Sequence, residues 1–513
     1  MRRSDVRILS PAPEILVKKP CQTLIWQGFF VTRRKSPSGS RPQGAVRREL
    51  EKRSFMLLCG VLASVLMIAL LAIYSGFHSK RGGKLSSSLV SGVILGSYLG
   101  GSGTIGTSQL AYVYGNSAWC FHLGGILGFL FLYFVYGKAI RNTGKPTVVG
   151  IIGEEYGSRT WLIASVLNGL GNFVAILAQL IAGTSVIAVV APSIPLAWSF
   201  VLVAGLMLIY VVFGGTKGAG MVGLLKLFLV LFSLIMCGAV ALWLAGGVPQ
   251  FLSAVSELGS ARGMDYFSFF NRGFSKDGGA IFSVMIGVAT SQIYAQAIIN
   301  ARADRDAMRG VLLSAATLPI VGACAIAVGL YMRVHFPDIS ARAALTEFVL
   351  IHLPALPAGI VLGTLLITVV GSGAGIALGV STIFNYDIAN RLFPSFARDG
   401  RDELRVRLFI VFFLCVGVWL CLVSKDDMIL NYSVMSMGLR ASVTLVPLSF
   451  ALWFRGRISS AYALSCVFLC PALVVGLLFF GNLPFDPLIL GIVAGILIMG
   501  AGVLQGRKAH ANN

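Results

Sequence analysis

Residues Ser97–Tyr112, SYLGGSGTIGTSQLAY, lie inside a long apolar segment yet carry four glycines together with serine and threonine. Glycine costs a helix interior about 1 kcal/mol relative to alanine, and the hydroxyl side chains compete for backbone groups. The stretch predicts a membrane-crossing helix that opens part-way. Irregular backbone at membrane depth is tolerated only where it lines a cavity or is buried in protein, and paired discontinuous helices are the sequence pointer to a transport site. Transport is therefore the function class indicated before any other feature is read.

The rest of the chain agrees with a polytopic all-α membrane protein. Of its 513 residues 56% are hydrophobic and only 12% are charged, and the mean hydropathy is +0.84, a balance foreign to water-soluble domains of this length. Apolar runs long enough to cross about 30 Å of hydrocarbon recur about thirteen times. The longest interruption, 247–278, is too short for a sizeable soluble domain, so the chemistry must be embedded in the bilayer. The nine cysteines form no CxxC pair and read as small core residues. The five histidines, His78, His122, His335, His352 and His510, are scattered, without the spacing of a metal or catalytic cluster, so an enzyme is not expected.

A net charge of +21 would suggest nucleic acid in a soluble protein; here its distribution across loops is the informative quantity. Basic residues gather in alternate loops, among them Lys138 and Arg141, Arg302 and Arg305, Arg401 and Arg405, and Arg455 and Arg457. This pattern predicts a cell-membrane protein with a cytoplasmic C-terminus. Residues 1–53 carry thirteen Lys or Arg and by the same rule prefer the cytoplasm, against the orientation of the other loops. Two readings stay open: the first helix enters the opposite way, or this tail is no part of the fold and translation starts at Met56.

Beyond the tail the chain divides into a first peripheral helix (54–77), a five-helix set (88–246), an extracellular loop (247–278), a second five-helix set (279–454) and peripheral C-terminal helices (459–505). Helix one of each set is interrupted and helix three is the longest. Such a 5+5 arrangement, with the second set inverted, forms a substrate site at the repeat interface. The second interrupted helix is GAIFSVMIGVATSQIYAQAII (279–299), broken near Gly287, Thr290, Ser291 and Gln292. Polar groups in hydrocarbon must be satisfied by protein, water or ligand. Ser97, Ser102, Thr104 and Ser108 from the first interruption, Gln179 from the long helix between, and Gln292, Tyr294 and Gln296 from the second are the candidate substrate-binding residues.

Five ordered segments resemble the sodium:solute symporter family, whose members share the leucine-transporter fold. They are TIGTSQLAYVYG (104–115), RNTGKPTVVGIIGEEYGSR (141–159), VVFGGTKG (211–218), SQIYAQAIINARADRDAMRG (291–310) and GSGAGIALGVSTIFNYDIANRLF (371–393). The resemblance covers about 55–480. It implies Na+ as coupling ion, held between the first broken helix and the long helix of the second set. Carried over residue by residue, that site comprises Gly96 and Leu99 with Thr368, Gly371 and Ser372. Ser372 brings the hydroxyl the family pattern requires; Gly371 does not, where relatives usually have a second Ser or Thr. A Trp-Thr-Asp element near the start of the fifth core helix, tied to a second sodium site or the ion exit route, is replaced here by Met221, Val222 and Gly223.

Three residues on, Lys226 stands where the family commonly has Gln. An ammonium inside a membrane protein marks a function or a specific partner. Lys226 either snorkels to the interface or takes a structural ion pair, or its charge substitutes for a bound cation in a proton-coupled or sodium-independent cycle. Arg440, mid-helix in NYSVMSMGLRASVTLVPL, either binds an anionic substrate through its planar fork or pairs with carbonyls of the broken helices or with Asp387. Asp387 itself is expected to meet a loop arginine.

The reading that follows is a secondary active transporter, a sodium-coupled symporter of a small organic solute working by alternating access in the lipid bilayer. The alternative is a proton-coupled or sodium-independent transporter using Lys226, and a transporter-like sensor is a minor third. No nucleic acid and no obligate protein partner are expected. Absence of acidic groups from the candidate set argues against a cationic solute; relatives carry sugars, amino acids, carboxylates, nucleobases and vitamins, and the sequence does not choose.

Overall fold

The computed structural model describes residues 52–64, 66–67, 84–145, 147–214, 219–390, 393, 395–396, 400–424, 428–480 and 486–511. Nearly all of the basic tail 1–53, part of the helix expected at 54–77 and the end of VVFGGTKG fall outside them. The chain separates at residue 52, and the following account concerns 53–513.

Among the described residues there is no β-strand, and ten helices are long and apolar enough to cross a membrane. The elements that build the site are α1 (Ser87–Tyr98), α2 (Thr107–Tyr114), α3 (Trp119–Phe131), α4 (Ser158–Val190), α5 (Leu196–Gly214), α6 (Ala219–Leu244), α7 (Phe274–Ala289), α8 (Gln292–Ile299), α9 (Asp304–His335), α10 (Ala355–Ile383), α11 (Asp402–Val423) and α12 (Ile429–Trp453). The long helix α4 packs on both α10 and α12, α7 packs on α3, and α1 packs on α6 and α9. The expected loop 247–278 is itself partly helical over Val248–Arg262, and α7 begins at Phe274, five residues before the expected start.

The two interruptions have separate local causes. Helix α1 stops at Tyr98, and after Leu99–Gly101 the chain re-enters through a wide π turn, Ser102–Gly106, into α2. A side chain at Gly101 would place its Cβ 2.2 Å from Ala182 Cβ, so only glycine lets the opened backbone lie against α4. The freed backbone groups find partners: Gly101 N–H donates to Gln179 Oε1 at 2.9 Å, and the Thr104 hydroxyl donates to Gly100 O at 3.0 Å. That re-pairing is what makes a break tolerable away from water. In the second interruption α7 ends at Ala289, Ser291 is extended (φ −68°, ψ 126°), and α8 starts at Gln292.

The broken helices are tied at both ends. Leu85 N–H donates to Asn300 O at 2.8 Å and Arg302 N–H to Leu85 O at 2.9 Å, joining the start of α1 to the end of α8. Arg141 donates to the carbonyls of Ile298 (2.7 Å) and Ala301 (3.1 Å) and pairs with Asp304, satisfying carbonyls that α8 leaves open at its C-terminus. At the other end buried Asp277, in the first turn of α7, accepts from Arg272 Nε at 2.6 Å and from the Ser117 hydroxyl at 2.7 Å, fastening α7 to the turn between α2 and α3.

Candidate functional site

A cavity of about 110 Å³ lies between the two interruptions and helices α4, α10 and α12. On this measure a single water needs only about 10–15 Å³, so the space suits a small solute. Of the residues expected to bind substrate, Ser97, Ser102, Gln179 and Tyr294 line it. Thr104, Ser108, Gln292 and Gln296 do not: Thr104 bonds back to Gly100, the Ser108 hydroxyl is buried without a partner, Gln292 Oε1 accepts from Val148 N–H at 2.7 Å, and Gln296 is exposed. Helix phase is the reason. Residues three apart share a face, so Ser291 and Tyr294 both look into the cavity while Gln296, two residues on, points about 200° away.

Asn172, Ser291, Ser433 and Ser436 also line the cavity, and sequence reading did not single out Asn172, Ser433 or Ser436. Spacing carried the signal. Asn172 and Gln179 are seven apart on α4, two turns along one face, and Ser433, Ser436 and Arg440 repeat at intervals of three and four on α12. The Ser433 and Ser102 hydroxyls bond each other across the cavity wall.

The expected cation site borders this cavity, and Lys226 fills it. Its side chain is buried, with Nζ donating to Gly96 O at 2.7 Å and to the Ser372 hydroxyl at 2.8 Å. Both acceptors belong to residues that the family resemblance implies around Na+. The close crossing of α1 and α6 makes the reach possible. A Cβ on Gly96 would come within 2.9 Å of Gly223 Cα, and one on Gly223 within 2.6 Å of Gly92 O, so three glycines let the backbones touch. Lys226 stands three residues after Gly223, on the same face, and its four-carbon stem ends at the α1 break. Lys226 thus does not snorkel to an interface, because its ammonium finds partners in the bundle interior.

The remaining expected ligands are placed as follows. Gly371 lines the cavity and offers no hydroxyl, and the Thr368 Oγ1 is buried with no hydrogen-bond partner. Leu99 is the residue at which α1 opens. With Nζ spending the Gly96 and Ser372 oxygens and a positive charge already present, these residues do not fit a sodium ion in this arrangement. Among the described residues no group of three or more His, Cys, Asp or Glu could hold a metal.

Arg440, near the middle of α12, lines the cavity from the opposite side. Its hydrogen bond runs from Nε to Ser436 O on its own helix at 3.3 Å, so the pairing with Asp387 expected as one alternative is not formed. Asp387 sits in the π turn Phe384–Ala389 that ends α10. Its neighbours Asn385 and Asn390 both donate to Asp402, at 2.9 and 3.0 Å, and Arg405 pairs with the same carboxylate.

Comparison with known proteins bears on the fold and the family. The model of the sodium:solute symporter family matches residues 81–469. An uncharacterized symporter, YwcA of Bacillus subtilis (strain 168), is 24% identical over 179 residues, a match spanning 34% of each chain. Among solved structures, a Na+-coupled sialic acid symporter in a substrate-bound outward-open state superposes with a TM-score of 0.71 at 16% identity, over 88% of this chain and 98% of that one. MHP1, a nucleobase-cation-symport-1 family transporter, gives 0.56 at 14% identity, over 84% and 95%. These likenesses show a shared fold. With ten apolar spans among the described residues, its paired broken helices and a family match over most of its length, the chain is a multi-pass membrane protein that belongs to the sodium:solute symporter family.

Proposed function

We propose that this protein carries a small organic solute across the cell membrane by alternating access, and that the tethered ammonium of Lys226 takes the place of the coupling sodium ion. The observation carrying the second part is the pair of bonds from Nζ to Gly96 O and Ser372 Oγ, at 2.7 and 2.8 Å. A cation bridging α1 and α10 stabilises the arrangement in which those helices are near. Coupling requires that the bridge be made in one state and broken in the other. A covalently attached cation cannot leave with the solute, but it can lose a proton. The neutral amine no longer carries the charge that holds both oxygens, so protonation would govern the bridge as ion binding does in a symporter.

Sodium-coupled symport is the second reading. Family membership favours it, as does the buried Thr368 hydroxyl, which an ion would satisfy if Lys226 swung away. Proteoliposome uptake separates the two. Accumulation driven by an imposed proton gradient, unchanged when NaCl replaces KCl and lost in Lys226→Gln while solute exchange persists, supports the lysine reading. Accumulation that needs a sodium gradient at constant pH overturns it in favour of sodium.

A further inference from the structure

The cavity contains a positive charge, Arg440, that no carboxylate among the described residues pairs with. Among the described residues Arg440 makes one hydrogen bond, the 3.3 Å contact from Nε to Ser436 O, and Nη1 and Nη2 have no acceptor. Among the described residues no aspartate or glutamate lines the space. Lys226, which is not itself in the lining, holds Gly96 and Ser372, both of which line the cavity. A part-buried guanidinium within the membrane-spanning bundle and without a counter-charge is costly, and such intramembrane charges either pair or face a solute path. The fold accommodates this one deliberately: a Cβ on Gly171 would lie 2.7 Å from Arg440 Cγ, so the α4 glycine is what leaves room for the stem.

Two further features converge on the same place. Helix α8 begins at the cavity wall with Ser291 as its first flanking residue, whose side chain does not cap it, so the positive end of the helix dipole lies at that wall. Ser436 has a fully buried hydroxyl without a partner, one turn before Arg440 on α12. Beside these polar groups stand Tyr98, Phe121, Ile293 and Met437, which supply an apolar wall. A planar bidentate donor, a hydroxyl and a helix N-terminus next to an apolar wall match a carboxylate joined to a small organic body.

We infer that the transported solute is a small organic carboxylate whose anionic end is held by Arg440, with Ser436 and the start of α8 beside it. This rests on the transporter reading above, and the solute's charge would neutralise Arg440 while Lys226 holds Gly96 O of the broken helix and Ser372 Oγ of α10.

The test uses the full chain in proteoliposomes, with acetate, pyruvate and benzoate set against acetamide, pyruvamide and benzamide, together with neutral sugars. The expected result is uptake of at least one carboxylate, with its amide taken up at least about tenfold less. Arg440→Gln should lower that uptake by a similar or larger factor, and Arg440→Lys, which keeps charge and loses the fork, should fall between. Because Arg440→Gln can fail to fold, wild-type thermal stability is read in parallel: the transported carboxylate should raise it and the matching amide should not. Uptake confined to neutral solutes, or carboxylate uptake unchanged in Arg440→Gln, overturns the carboxylate assignment and leaves the transporter standing. Absence of uptake for every solute of either charge overturns both.

Discussion

Lys226 Nζ lies 2.7 Å from the carbonyl oxygen of Gly96, so a cation belonging to α6 is bonded at the point where α1 is about to open. The same ammonium reaches Ser372 on α10, making one lysine the link among three helices that are far apart in sequence. An interaction of this kind combines charge, hydrogen bonding and burial, and removing either side exposes the other to an uncompensated cost.

Lys226→Ala tests what the ammonium replaces. The substitution frees Gly96 O and Ser372 Oγ and removes the like charge. The variant is expected to lose about 1–3 kcal/mol in KCl, and NaCl at a hundredfold its dissociation constant is expected to return about 2.7 kcal/mol. Thermal unfolding of purified protein in matched NaCl and KCl measures both. Equal curves in the two salts for the variant would show that the emptied site does not take sodium.

Gly223→Ala should act on the same link from a distance. Its Cβ would meet Gly92 O at 2.6 Å, against backbone that cannot easily give way, so α1 and α6 must separate. Overpacking of this sort costs about 1–3 kcal/mol, and separation by a few tenths of an ångström lengthens the Lys226 bonds. Reduced stability with a disproportionate loss of gradient-driven uptake is expected. A Gly223→Ala protein that accumulates solute normally would show that the helix crossing does not set the lysine's position.

Gln179 is expected to have a structural duty before any solute contact, because its Oε1 accepts the Gly101 N–H at 2.9 Å inside the break. Gln179→Ala leaves that donor buried and unpaired, with an expected loss of about 1–3 kcal/mol. Gln179→Glu keeps an acceptor oxygen and should retain more of the stability. Denaturation of the two variants side by side is the measurement, and equal losses would assign the effect to packing.

At the other end, Asp277 is fully buried with Arg272 as its ion partner at 2.6 Å. Asp277→Ala should destabilise by about 3–5 kcal/mol, since the guanidinium is left without its counter-charge. The double variant with Arg272→Met should recover part of that loss, a coupling a double-mutant cycle reads directly. Additive losses would show that the two side chains act independently.

Much of the fold was legible in composition and spacing. Apolar runs of spanning length, the glycine-rich opening at Ser97–Tyr112 and the Thr290–Gln292 interruption identify a polytopic helical transporter, because a membrane core admits few backbone solutions and irregular segments there are conspicuous. Lys226 and Arg440 were conspicuous for the same reason: charge in an apolar run is rare. Their surroundings were not legible. Whether Lys226 reaches an interface or the bundle interior depends on how closely α1 approaches α6, which is settled by contact among Gly92, Gly96 and Gly223. Whether Gln296 faces the cavity depends on the rotation of α8, set by packing, and the choice of Ser436, Ser433 and Asn172 over Thr104 and Ser108 depends on which faces of α12, α4 and α2 meet. The class of protein and the places where its helices open can be read along the chain, since they follow from local propensity and from the cost of polar groups in hydrocarbon. Tertiary structure alone decided which charges meet which oxygens, since that follows from distances of a few ångströms between segments more than a hundred residues apart.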